Sequence, residues 1–220
     1  MKKAVIVGTG SFAELADFYL RVDAEYDVVG FSVTTDYYKS GQVFRGRPVF
    51  CFELLEHHFD PKTTKVFVAV GYIKMNQTRH DLCIAAKKKG FKLLTYISSK
   101  ATVWGETKFG ENVFIFEDNT IQPFTKICDG VIMWSGNHIG HHSLIGDWSF
   151  LSSHVVVSGH VSIGEKSFLG VNSTIADSVS IGRRNLIGAG VVIQKNTSDD
   201  EAWFVDKVKK FPKPSSFFFK

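Results

Sequence analysis

Cysteine is scarce in this chain: three among 220 residues, Cys51, Cys83 and Cys128. An odd number without metal-ligand spacing argues against a disulfide framework and suits a reducing compartment. Long apolar runs are also missing. No stretch of 18 apolar residues occurs, so no membrane-spanning helix is expected, and the opening MKKAVIVGTG turns glycine-rich after four apolar residues, too soon for a secretory signal. Charge of one sign is weak: the formal net charge is +4, and apart from Lys87-Lys88-Lys89 and Lys207 to Lys210 the basic residues are scattered, which argues against nucleic acid as a partner. What remains is a chain with 44% hydrophobic and 22% charged residues, a composition that buries one large core or two modest ones. A cytoplasmic globular protein without a membrane partner is expected.

The chain changes character near residue 97. Before it, apolar runs alternate with helix-like segments. KKAVIVG is a short buried-strand pattern, SFAELADFYLRV is amphipathic, YDVVGFSV is a second strand and TKVFVAVG a third, followed by the helical NQTRHDLCIAAKKKG. That order predicts a small open α/β sheet over 1–96. From Ile97 to Ile193 every sixth residue is large and apolar, seventeen positions without a failure. Chance produces such a run at odds on the order of one in a million, so the period is a structural signal. Glycine often follows the apolar residue, as at Gly110, Gly140, Gly146 and Gly164, and small residues at fixed phase predict recurring tight corners. A six-residue period fits a parallel β-helix whose faces are each one hexapeptide wide, spanning 97–195, with a tail at 196–220.

The repeat resembles the left-handed β-helix of hexapeptide acyltransferases, and with the N-terminal half the whole chain resembles the PglD/NeuD-like sugar acyltransferases. The resemblance implies three hexapeptides per triangular coil, about five coils, and strands stacked roughly 4.8 Å apart along the axis. It also implies an acyl-CoA co-substrate, with an acetyl or larger acyl group, and a nucleotide-linked amino sugar as acceptor in surface glycan (lipopolysaccharide, O-antigen) synthesis. A homotrimer with its active sites between subunits is the implied assembly. A sugar O-acetyltransferase of the same fold, a metal-dependent solenoid hydrolyase and a non-catalytic sugar-nucleotide scaffold stay open as alternatives.

Five of the eight histidines lie between Ser135 and Gly164: His138, His141, His142, His154 and His160. At 18 residues per coil, His142 and His160 stack, Gly159 sits one coil above His141, and His154 belongs to a neighbouring face. A zinc site needs three or four converging ligands. In gamma-class carbonic anhydrases two ligands lie two coils apart, and no two of these histidines are 36 apart, so no metal is expected. The family pattern H-[DE]-x-x-I-G matches Gly140-His141-His142-Ser143-Leu144-Ile145-Gly146 at the histidine and departs at the next residue. By that resemblance His141 is the general base and His142 stands where an acid would orient it. A neutral His142 lacks a carboxylate's stabilisation of the imidazolium, so the base is weaker, or an acid arrives from another subunit or from Asp147.

The resemblance assigns cofactor contacts to Gly159, Phe150 and Ala189. At Phe150 several relatives have a histidine facing the thioester; a phenyl makes that wall more apolar, suiting a longer acyl chain, unless Phe150 is ordinary packing. The family's Gly-x-Pro-Ala-Lys type loop near the adenine is replaced here by Trp203 to Lys210, so no adenine contact carries over. Substrate contacts are assigned to Gly8, Gly10, Ser11, Asp36, Gly71, Trp134 and Asn137. Val7-Gly8-Thr9-Gly10-Ser11-Phe12-Ala13 is a glycine turn between a strand and a helix, whose free N–H groups attract any phosphate, that of NAD included. By the resemblance the phosphate is the sugar nucleotide's. After the second strand no acid appears before Asp36, where relatives carry an acidic pair, which leaves uridine, thymidine and guanosine open. The Ala69-Val70-Gly71 turn with Asn76 and Arg79 downstream matches a further family feature, with a longer loop.

Overall fold

A computed structural model describes residues 2–206 and Pro212. The sequence KKAVIV forms β1 (Lys2–Val7), whose last four residues are buried on both faces, as the centre of a parallel sheet requires. A glycine turn leads to α1 (Ser11–Val22), which returns the chain to β2 (Tyr26–Val33) parallel to β1. A short hairpin of β3 (Val43–Phe44) and β4 (Arg47–Cys51), the helical turn α2 (Leu55–His58), β5 (Thr64–Val68), α3 (Gln77–Lys88) and β6 (Lys92–Leu93) complete this half. The sheet order is β3-β4-β2-β1-β5-β6, parallel except for β3 against β4. The three long strand patterns and both helices are where the sequence predicts them. The hairpin and α2 are additions, their strands too short for a period to register.

From Tyr96–Ile97 to Val192–Ile193 the chain runs through seventeen two-residue strands, each paired in parallel with the strand 18 residues away. They form three sheets, the three faces of a prism. Ala202–Trp203 adds a further strand beside Leu186–Ile187, so part of the expected tail extends the solenoid. From Lys207 on, Pro212 apart, the tail lies outside the described residues. The sixth-residue positions point inward: Ile115, Ile121, Ile127, Met133, Ile139 and Ile145 are all fully buried in one column.

The corners are built differently from the expectation. The glycines after the apolar residues do not carry the left-handed backbone conformation; it falls two residues later, at non-glycine residues such as Phe124, His142, Trp148, His154, His160 and Lys166, with φ between 55° and 63°. The glycines allow the coils to approach. A methyl on Gly140 would lie 2.5 Å from Gly159 N, and one on Gly164 2.5 Å from the Gly182 carbonyl. Three of the five clustered histidines thus occupy positive-φ corners, a conformation in which histidine is enriched several-fold.

One face of the prism is covered by the N-terminal half. Phe114, Phe116, Ile132 and Phe150 share a core with Ile6, Phe31 and Phe67. Polar ties reinforce it: Tyr19 donates to Glu117 at 2.8 Å, Tyr96 to Asp23 at 2.6 Å, and the Val68 N–H to Asn112 Oδ1 at 2.8 Å. The opposite corner of the prism, between the strands His138–Ile139 and Leu144–Ile145, faces away from this contact.

Candidate active site

His141 stands at that free corner, exposed, with its N–H held by Gln122 Oε1 at 2.9 Å. The left-handed conformation of His142 (φ 57°) turns the two rings edge to face, and their Nδ1 atoms meet at 3.1 Å. One of the pair must therefore donate to the other. His142 is also stacked on His160 one coil above, centroids 4.9 Å apart and rings 15° from parallel, with Phe124 one coil below at 4.7 Å. The His141 ring reaches up over Gly159: a methyl there would lie 2.8 Å from Cε1 and 3.0 Å from Nε2. Gly159 is glycine because that ring occupies its side-chain space. With Nδ1 engaged by His142, Nε2 is the ring nitrogen without a hydrogen-bond partner among the described residues.

Asp147, one of the sources left open for an acid beside His141, does not reach it. Asp147 lies at the next corner, where its carboxylate accepts the Asp129 N–H at 2.9 Å. A carboxylate the sequence reading missed is Asp177, two coils above His141, whose Oδ1 lies 3.1 Å from the same methyl position at Gly159. Only the stacking of 141, 159 and 177 at intervals of 18 reveals it, and a search for an acid next in sequence to the histidine does not. His138 lies on a strand between Thr120 and Val156, and the His154 ring packs over Gly136, away from His141.

Several predicted contacts fall elsewhere within the chain. Phe150 is buried on the face opposite His141, stacked on Phe168 at 5.1 Å and edge-on to Tyr72 at 5.3 Å, so it is packing between the two halves. Asn137 is buried in a ladder, donating to Asn119 Oδ1 at 2.9 Å and accepting the Val155 N–H at 2.8 Å, which leaves no face for substrate. Trp134 stacks on Phe116 at 4.8 Å against the N-terminal half, with its indole N–H buried and unpartnered among the described residues. Ala189 is exposed above Gly170, at a different corner from His141.

In the N-terminal half, Gly8, Gly10, Ser11 and Gly71 line one cavity of about 520 Å³, together with Thr9, Thr34, Tyr37 and Thr78. Gly8 is required: its φ is 122° and a methyl would lie 2.7 Å from the Ala69 carbonyl oxygen. The α1 N-terminus opens here without a side-chain cap, and no carboxylate is among the lining residues, so the walls offer N–H and hydroxyl donors to an anion. Asp36 is not part of it. The residue is exposed on a single turn, Thr35–Tyr37, and the neighbouring Tyr37 faces the cavity instead. Asn76 and Arg79 do not line it either. The Asn76 amide donates to the Trp148 carbonyl at 2.6 Å, and Arg79 is wholly buried over the Trp148 ring, burial pulling its guanidinium down to about 10. This pair ties α3 to a corner of the solenoid.

The hexapeptide repeat of succinyl-transferase matches residues 160–195. No curated protein matches the chain. Among solved structures, the acetyltransferase domain of PglB from Neisseria gonorrhoeae in complex with acetyl coenzyme A is 25% identical with a TM-score of 0.80, over 91% of this chain and 95% of that one. PerB from Caulobacter crescentus in complex with CoA and GDP-perosamine is 26% identical with a TM-score of 0.79, over 91% and 92%. A histidine-to-asparagine variant of perosamine N-acetyltransferase from the same organism, again with CoA and GDP-perosamine, is 25% identical with a TM-score of 0.68, over 91% and 92%. In repeat, in both halves and in their order, the chain is similar to the left-handed β-helix sugar acyltransferases of the PglD/NeuD type.

Proposed function

We propose that this protein is an acyl-CoA-dependent N-acyltransferase acting on the amino group of a nucleotide-linked amino sugar. The observation that carries the reading is the free corner at His141, an imidazole with one nitrogen engaged and the other open, in a chain that matches two CoA-binding acetyltransferase structures over nine-tenths of its length. The sugar amine attacks the thioester carbonyl, His141 Nε2 accepts the amine proton, and the thiolate of coenzyme A leaves. The Gly159 N–H makes no hydrogen bond among the described residues, and we assign it to the developing oxyanion. His142 orients His141 through Nδ1, and Asp177, two coils above, is the carboxylate stacked over the same corner beyond Gly159. The cavity at Gly8, Gly10, Ser11 and Gly71 receives the nucleotide diphosphate. The separation of that cavity from His141 within one chain supports a reading in which acceptor and base meet between subunits, and we assign the assembly as a homotrimer. Both co-substrates are cytoplasmic metabolites, which puts the reaction there, feeding surface glycan synthesis.

The test is a panel of UDP-, dTDP- and GDP-linked amino sugars against acetyl-CoA and longer acyl-CoAs, following thiol release. Light scattering on the same sample checks the trimer. Release that requires the amino group is expected, falling about 10² to 10⁴-fold in His141→Asn with CoA binding retained, the range for loss of a general base. Equal release with the matching hydroxyl sugars would instead assign O-acylation, and undiminished release in His141→Asn would remove the base.

A further inference from the structure

We propose that His141, His142 and His160 form a binding site for a divalent transition-metal ion such as zinc, and that a bound ion withholds His141 from proton transfer. The site stands on geometry independent of the transferase reading, whereas its effect on turnover rests on that reading. Three imidazole nitrogens, one from each residue, lie within 4.8 Å of one another at the exposed corner. Two nitrogens on one tetrahedral zinc, each at about 2.0–2.1 Å, are roughly 3.3 Å apart. The Nδ1 atoms of His141 and His142 are already 3.1 Å apart, so this pair has the separation of one edge of the tetrahedron.

His160 supplies the third ligand. Its ring is stacked on His142 and edge-on to His141 at 5.0 Å, and all three side chains are exposed, so closing the remaining gap takes side-chain rotation only. The fixed backbone favours it: His142 and His160 occupy equivalent left-handed corners, φ 57° and 55°, one coil apart, and the His160 N–H is bonded to the His141 carbonyl at 2.9 Å. Three imidazoles suit zinc, nickel and copper over magnesium or calcium, and the fourth position stays open to water. The expected spacing of 36 residues for a solenoid metal site is thus not the only route to convergence; adjacent histidines at one corner plus a third one coil above reach it too.

The consequence for His141 follows from imidazole chemistry. A neutral ring has one nitrogen with a free lone pair and one bearing the proton. Once Nδ1 gives its lone pair to the metal, the proton resides on Nε2, and Nε2 has no lone pair left to take a proton from the amine. The hydrogen that links the two Nδ1 atoms in the metal-free corner is displaced to make room for the ion, so binding also frees the His142 ligand.

The experiment titrates chelator-treated full-length protein with Co²⁺, reading the visible absorption of a four-coordinate nitrogen site, with Zn²⁺ competing the signal away. One ion per chain is expected. His160→Asn, chosen because asparagine accepts a left-handed corner, should weaken binding at least about tenfold, the loss that even outer partners of metal ligands produce. His142→Asn should behave likewise, and His154→Asn, at an equivalent corner outside the cluster, should bind as the parent does. Absence of saturable binding, or unchanged affinity in both His160→Asn and His142→Asn, overturns the site whether or not the protein proves to be a transferase. In thiol release, Zn²⁺ should inhibit the parent, and His160→Asn should need at least about tenfold more Zn²⁺ for the same inhibition. Undiminished turnover with the site filled overturns the withholding of His141.

Discussion

His142 stands where the pattern implied by the resemblance, H-[DE]-x-x-I-G, has an acid, and its geometry makes that difference measurable. Its Nδ1 contacts His141 Nδ1, where a carboxylate would otherwise accept the base's second N–H. As a neutral ring it fixes His141 in orientation but adds no charge to stabilise the imidazolium. On the proposed mechanism the base at His141 works only when unprotonated, so kcat/KM has an acidic limb that belongs to that ring. His142→Glu places a negative charge beside Nδ1, favours the protonated ring and moves that acidic limb to higher pH by about 1 unit. The left-handed corner tolerates the change, since Glu106 and Lys166 adopt φ 64° and 57° at equivalent positions. A limb that stays in place in a folded, active variant removes the proposed orienting role from this position.

The coil is the element in which sequence and structure agree most, and also where the reason for one residue type changes. Inward residues were legible because each strand shows only two residues and the face repeats every six, leaving the period no room to drift. The glycines were legible as a phase but not as a cause. Their positions are set by contact with the coil above, which a sequence read along one dimension does not display, while the strained conformation is carried by histidine, tryptophan, lysine and others. The same blindness hid Asp177 and misassigned Asn137 and Phe150, whose neighbours are 18 residues away or in the other half of the chain. One and the same substitution should therefore have unequal costs at different glycines. Gly164→Ala puts a methyl 2.5 Å from backbone of the next coil and should destabilise by about 1–3 kcal/mol, as overpacking does. Gly105→Ala meets nothing within 4 Å and should be close to neutral. Denaturant midpoints of the two variants decide it, and equal midpoints would mean that contact with the next coil does not require glycine at 164.

At the scale of the whole molecule, two carboxylates fasten the N-terminal half to the solenoid, and both make that joint sensitive to acid. Asp23, at the end of α1, accepts hydrogen bonds from the Tyr96 hydroxyl, the Ser99 N–H and the Ser99 hydroxyl. Glu117, on the prism, accepts from Tyr19 of α1 at 2.8 Å and from Ser135 at 2.7 Å. Burial pushes both carboxyls upward, but the donated hydrogen bonds outweigh it and hold each below its ordinary value, 3.8 for Asp23 and 4.5 for Glu117. The same contacts, with burial leading, push the Tyr19 hydroxyl up to about 12. A carboxylate whose pKa is depressed by folding stabilises the native state fully above its unfolded value and loses that contribution as pH falls through its folded one. The melting temperature should therefore decline from about pH 5 downward as both groups take up protons that the unfolded chain already holds. In the double variant Asp23→Asn, Glu117→Gln this part of the titration is gone. It should melt lower than the parent near neutrality, and the gap between the two curves should narrow steadily with acid. Other depressed carboxylates, such as Glu53 and Glu56, remain in both proteins and cancel in the difference. A gap that stays constant over the same range would mean that neither carboxylate is linked to folding, and the joint would then rest on its apolar core and its other polar ties, such as Val68 to Asn112 and Asn76 to Trp148.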